Sequence, residues 1–141
     1  MNFNAGVTTA RAPRCVALMD YGVGNLGSLA GSLGRLGYRV VVSADPQVVG
    51  GADAVVLPGV GAMQAAMRTL TSTGLDVVIA RLFNERRIPL IGICLGMQLM
   101  FDHSEEGDVA CLGLIPGRVR RFTGRGCHVG WSLSSLPAPV K

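Results

Sequence analysis

IPLIGICLGMQ, residues 88–98, runs from an aliphatic, β-forming segment straight into a helix-like one, with no loop residues between them. A buried strand that passes directly into a helix is the building unit of an α/β sheet. The same unit recurs upstream. CVALMD (15–20) reads as a first strand, followed by a glycine loop and by SLAGSLGRLG; Leu26 of the loop and Leu29, Leu33 and Leu36 beyond it fall at helical spacing. YRVVVS (38–43) is a second strand, Asp45-Pro46 a turn, ADAVVL (52–57) a third strand, and IPLIGI (88–93) the fourth. GAMQAAMRTL and LDVVIARLFNERR read as two helices parted at Ser72-Thr73-Gly74, and CLGMQLMFD (94–102) as a helix. After Gly107 the pattern changes: GLIPGRVRRF holds a Pro-Gly turn and then an alternating strand, and SLSSLPAPVK is turn-rich. This order predicts an α/β fold, a doubly wound and mainly parallel sheet with helices on both faces. Sites in such sheets form beyond the carboxyl ends of the strands, here loops 21–27, 58–61 and 92–96.

Composition narrows the function classes. With 49% hydrophobic and 16% charged residues, the 141-residue chain has the means to bury a core and is not a disordered tail. Gly, Pro or charge interrupts every apolar run, so no membrane span is expected. The first 14 residues carry two arginines and no continuous apolar stretch, which reads as a disordered N-terminal extension rather than a secretory signal. Cys15, Cys94, Cys111 and Cys127 form no C-x-x-C, and His103 and His128 complete no zinc pattern, so no metal or cofactor is expected. Free thiols fit a reducing cytoplasm. The net charge of +4 gathers in the last third, at Arg118, Arg120, Arg121 and Arg125, without aromatic platforms beside it. A solvated strand face accounts for it better than nucleic acid does.

GICLGMQ (92–98) carries the chemistry. G-x-C-x-G between a strand and a helix is the cysteine form of a nucleophile elbow. Gly92 and Gly96 remove side chains that would collide in a tight turn, and Cys94 projects at a helix N-terminus, which favours a thiolate. The Leu95 N–H faces a developing oxyanion. A buried structural cysteine is the plain alternative. A second oxyanion donor is expected from PGVG, through the backbone of Gly59, Val60 and Gly61, whose plain alternative is an ordinary strand-to-helix turn.

GVGNLG (22–27) matches G-x-G-x-x-G, the written form of a dinucleotide fingerprint, with Asp45 at a distance suited to a ribose. A nucleotide-binding α/β module is therefore one rival function, although Asp20 would face the phosphate. A non-catalytic docking subunit is another.

DYGVGNLGS, LPGVGAM, GICLGMQLMFDHSEEG and LGLIPGRVRRF, in this order and spacing, resemble the glutaminase subunit of imidazole glycerol phosphate synthase. That family is a class I (triad-type) glutamine amidotransferase, and the resemblance runs from Val16 to Trp131. It implies a flavodoxin-like three-layer domain over 15–141 and hydrolysis of glutamine to glutamate and ammonia, used by a (β/α)8-barrel cyclase partner in histidine biosynthesis. On this resemblance Cys94 forms a γ-glutamyl thioester, while Leu95 and the 59–61 backbone hold the oxyanion. Gln98, Glu106 and Gly96 bind the substrate, with Glu106 alternatively one of two solvated acids beside Glu105. Gly24, Asn25 and Trp131 face the partner.

The pattern departs in one place. A triad also needs a histidine base and a glutamate, in an H-P-E-like segment downstream of the cysteine. The sequence holds no H-P-E, and its H-x-E, His103-Ser104-Glu105, begins only nine residues after Cys94. On a continuous helix His103 would lie roughly 13 Å along the axis from Cys94. His128 sits in CHVGWS, which resembles the family's P-H-M-G-W-N segment, with departures at Cys127, Val129 and Ser132. A C-terminally truncated domain, marginally stable and inactive alone, is the expectation, with a degenerate paralogue as its rival.

Overall fold

In the computed structural model, residues 14–85 and 88–123 are described. The first 13 positions, Arg86, Arg87 and everything from 124 onward fall outside, so the expectations for the N-terminal extension, Arg125, Cys127, His128, Trp131 and SLSSLPAPVK lie beyond the described residues.

Four parallel strands carry the fold: β1 (Cys15–Met19), β2 (Arg39–Ser43), β3 (Ala54–Leu57) and β4 (Leu90–Gly92). They lie in the order β2-β1-β3-β4, with Ala17 opposite Val41 and Val55, and Val56 opposite Ile91. Strand alternation explains why the central strands are apolar without interruption. Val16 and Leu18 point to one face with Val56, whereas Ala17 and Met19 point to the other with Val55 and Leu57.

The first face is covered by α1 (Leu26–Arg35), through Leu26, Leu29 and Leu33. Leu36, expected on the same stripe, is instead the C-cap residue and is 74% exposed, because the helical period ends one residue before it. The other face is covered by α2 (Pro46–Gly50), α3 (Met63–Thr73) and α4 (Leu75–Asn84), which bury Val49, Met63, Leu70, Leu75 and Ile79 completely. The Asp45-Pro46 turn thus opens a short helix: Asp45 accepts a hydrogen bond from the Gln47 N–H (2.8 Å), and Pro46 occupies the first turn. Gly74, in the left-handed region, ends α3 and begins α4 where a break was expected.

Downstream of β4 the expected helix over 94–102 is not what forms. Helix α5 spans only Leu95–Gln98, and the chain enters β5 (Phe101–Ser104). The carbonyls of Leu99, Met100, Phe101 and Asp102, which a longer helix would have bonded to its own next turn, accept N–H groups from Cys111 through Ile115. Distant pairing thus overrides local period. β5 pairs antiparallel with β6 (Val109–Ala110) and parallel with β7 (Ile115–Val119), as a three-stranded sheet in the order β6-β5-β7. The Pro-Gly pair is not a turn: Pro116 and Gly117 lie inside β7, opposite a register shift between Phe101 and His103. A proline is tolerated there because β7 is an edge strand of that sheet. Arg118, Arg120 and Arg121 are exposed, as expected, although only Arg118 belongs to the strand. Among the described residues no helix is long and apolar enough to cross a membrane.

Helix α4 offers a test of this layering. Ile79→Ala removes a fully buried side chain and should cost about 3 kcal/mol. Val77→Ala, at a position 68% exposed on the same helix, should change stability by no more than about 0.5 kcal/mol. Urea midpoints of the two variants measure the difference.

Candidate active site at the strand ends

Cys94 closes the end of β4 in a conformation that few side chains adopt. Its φ is 55° and its ψ −119°, and it is one of two non-glycine residues with positive φ among those described. Such a backbone costs about 1–3 kcal/mol and persists only where its surroundings impose it. Here the surroundings are backbone. A β-carbon on Gly92 would fall 2.5 Å from the Met97 Cα, and one on Gly96 would fall 1.9 Å from the Leu57 carbonyl oxygen. The elbow is therefore pressed against the end of β3 with no side chain between. The result is an exposed Cys94 above a buried Leu95 and Gly96. Leu95 is the first residue of α5, so its N–H precedes the helical hydrogen-bond ladder.

The Pro58–Gly61 loop meets this elbow directly. A β-carbon on Gly59 would lie 2.9 Å from the Gly96 nitrogen and 2.9 Å from the Leu95 Cβ. Gly61 has φ 91°, and Val60, between them, is 54% exposed. The third loop closes on the second. Gly24, with φ 120°, brings the chain to within 3.2 Å, at its β-carbon position, of Pro58 Cβ. All three strand-end loops thus converge.

Tyr21 is the residue the sequence reading missed. Its hydroxyl donates to the Pro58 carbonyl, its ring is buried, and burial pushes its phenol far above the ordinary range, so it stays a neutral donor. That bond fixes the plane of the 58–59 peptide, the first of the proposed oxyanion loop. The signal available was an aromatic with a polar tip just beyond a buried strand, where a buried hydroxyl requires a partner.

Gln98 and Glu106 are brought together. With Val119, Arg120, Arg121 and Phe122 they line one depression of about 440 Å³, in which Cys94 takes no part. The two adjacent acids have different surroundings. Glu105 accepts the Arg121 N–H (2.9 Å), while Glu106 lines the depression, its own N–H held by the Ser104 hydroxyl (3.1 Å). His103, placed on a helix by the sequence reading, lies on β5, with Nε2 3.0 Å from Asp108 and Nδ1 buried without a partner among the described residues.

The GVGNLG loop does not present a phosphate cradle. Asp20 accepts the Gly22 N–H (3.1 Å), which sets a carboxylate against the amides a pyrophosphate would use. Gly27, the third glycine of the fingerprint, sits inside α1 with open space around its β-carbon position. Asp45 is occupied as a helix cap. Asn25 caps α1 by accepting the Ser28 N–H (3.2 Å), so it has a structural duty besides any at a surface. Among the described residues no group of three His, Cys, Asp or Glu could hold a metal.

Two measurements check this geometry. Gly96→Ala should destabilise by at least about 3 kcal/mol, since the carbonyl it strikes is backbone and cannot move aside. Gly27→Ala should instead stabilise α1 by about 0.5 kcal/mol. In mass-spectrometric alkylation, exposed Cys94 should react before half-buried Cys15 and Cys111; burial raises the Cys111 thiol and slows it further.

Residues 17–128 match the family model for glutamine amidotransferase class-I. The chain is 52% identical over 121 residues to the imidazole glycerol phosphate synthase subunit HisH of Xylella fastidiosa, covering 83% of this chain and 58% of that protein. It is 48% identical over 129 residues to the HisH subunit of Moorella thermoacetica, covering 89% and 61%. The chain thus spans about three fifths of the length of these relatives. A crystal structure of a glutamine amidotransferase superposes with a TM-score of 0.66 at 20% identity, over 75% of this chain and 56% of that one, and shares the fold. With that family model matched over residues 17–128, a span that includes the elbow and the glycine-rich loop, the chain belongs to the class-I glutamine amidotransferases.

Proposed function

We propose that this chain is the glutamine-hydrolysing part of an imidazole glycerol phosphate synthase. The observation that carries the reading is the close approach of Gly59 to the Gly96 nitrogen and the Leu95 side chain, which sets an oxyanion loop against a strained, exposed Cys94. The HisH relatives support the assignment of the pathway.

The chemistry follows from the groups present. The Cys94 sulfur attacks the side-chain amide carbon of glutamine, forming a C–S bond and leaving negative charge on the carbonyl oxygen. The Leu95 N–H and the 59–61 backbone stabilise that oxyanion. Collapse breaks the C–N bond, and the nitrogen leaves as ammonia once it has gained a proton. Water then cleaves the γ-glutamyl thioester, giving glutamate and the free thiol. Gln98 and Glu106, facing one depression, hold the amino-acid end of the substrate, since a carboxylate suits an ammonium. Gly96 belongs to this binding set through the close packing it permits. His103 is engaged with Asp108 and is assigned no part in proton transfer. The base is assigned to none of the described residues.

Ammonia passes to a (β/α)8-barrel cyclase subunit in a cytoplasmic enzyme. Gly24 and Asn25, on the loop touching Pro58, face it; Trp131, assigned to the same contact by the family resemblance, lies outside the described residues. A nucleotide in the GVGNLG loop is disfavoured by the Asp20 carboxylate.

The test is affinity labelling. A glutamine-shaped chloroketone, whose chloride the Cys94 sulfur displaces, should label Cys94 in a saturable manner, with free glutamine protecting it. Cys94→Ala should take no label at this position. Labelling that glutamine does not slow would refute the reading.

A further inference from the structure

The turn that carries Glu106, residues 105–108, is held from two directions. From within the three-stranded sheet, the Glu105 N–H donates to Val119 O (3.0 Å), the Glu106 N–H to Ser104 Oγ (3.1 Å), and His103 Nε2 meets Asp108 (3.0 Å). From outside that sheet a side chain reaches in. Gln64, in the first turn of α3, donates from Nε2 to the Gly107 carbonyl at 2.6 Å, across 43 residues of sequence. The contact is close along its length: a β-carbon on Gly107, whose φ is 77°, would lie 2.9 Å from Gln64 Cγ and 3.2 Å from its Nε2. Glycine at 107 is what lets the Gln64 stem lie across the turn.

Gln64 is also placed to connect. It stands three residues beyond Gly61, on the helix that the Pro58–Gly61 loop leads into. Its own side is exposed, so burial does not explain its engagement with Gly107. We propose that Gln64 is a positioning residue for glutamine binding: its amide sets the Glu106 turn at a defined distance from the Cys94 elbow. It touches no substrate and acts through Glu106. The inference rests on the reading of Glu106 given above.

The experiment uses the same chloroketone on the 141-residue chain, with iodoacetamide as a label that needs no glutamine site. Gln64→Met keeps the stem and removes the donor. It should raise the half-saturating chloroketone concentration about fivefold, the size expected for one hydrogen bond. The labelling rate at saturation and the iodoacetamide rate at Cys94 should not change. Gln64→Glu, which sets a carboxylate against the Gly107 carbonyl, should raise half-saturation further. In a Glu106→Ala background Gln64→Met should add nothing, because both act through one group. Unchanged half-saturation in Gln64→Met, or a full penalty persisting without Glu106, would overturn the proposal while leaving glutamine-protected labelling of Cys94 intact. If the parent chain shows no glutamine protection at all, the glutaminase reading fails and this inference falls with it.

Discussion

The contact on which the site depends is backbone against backbone: Gly96 against the Leu57 carbonyl at the end of β3. No side chain fits there, so the first turn of α5 is driven onto the neighbouring strand, and Cys94 is left to absorb the bend with a positive φ. The strain is offset by close packing in which Leu95 and Gly96 are buried. The local geometry of the elbow follows from this one approach. It exposes the sulfur, frees the Leu95 amide from the helical ladder, and sets Gly59 against the elbow.

A second layer of contacts keeps the approaching loops in place. Tyr21 fixes the Pro58 carbonyl from beneath, and Gly24 lets the first strand-end loop touch the same proline. Of the three glycines of GVGNLG, Gly24 packs against Pro58, whereas Gly22 and Gly27 have open space at their β-carbon positions. A glycine motif at a strand end reports only that something approaches closely. Asp20, which turns its carboxylate onto the Gly22 amide, decides that the something is not an anion. The depression shared by Gln98 and Glu106 is built differently, on a turn of the small sheet that Gln64 reaches from α3. Parts of the site thus hang on two sheets, and hydrogen bonds between elements hold them in register.

Much of this was legible from residue order. Four apolar runs at α/β spacing gave the parallel sheet, and G-x-C-x-G at a strand–helix junction located the bend. The segment from Leu99 to Asp102 was misread because its local pattern suits a helix, while its carbonyls are claimed by Cys111 through Ile115. Pro116-Gly117 was misread for a related reason: a turn pair becomes strand when it lies at an edge opposite a register shift. Asn25 and Asp45 proved to be helix caps, a duty that short polar side chains take up as soon as a helix starts beside them.

By itself, then, the sequence determined the parallel sheet, helices α1, α3 and α4 and the identity of the strained cysteine, because apolar periodicity and obligatory glycines are local signals. Tertiary structure decided which of two adjacent acids faces the depression, which aromatic steadies the Pro58–Gly61 loop, and which glutamine reaches the turn bearing Glu106. Those assignments depend on hydrogen bonds between residues 16 to 43 positions apart. No periodicity encodes such pairs; only the folded chain brings the donors to their acceptors.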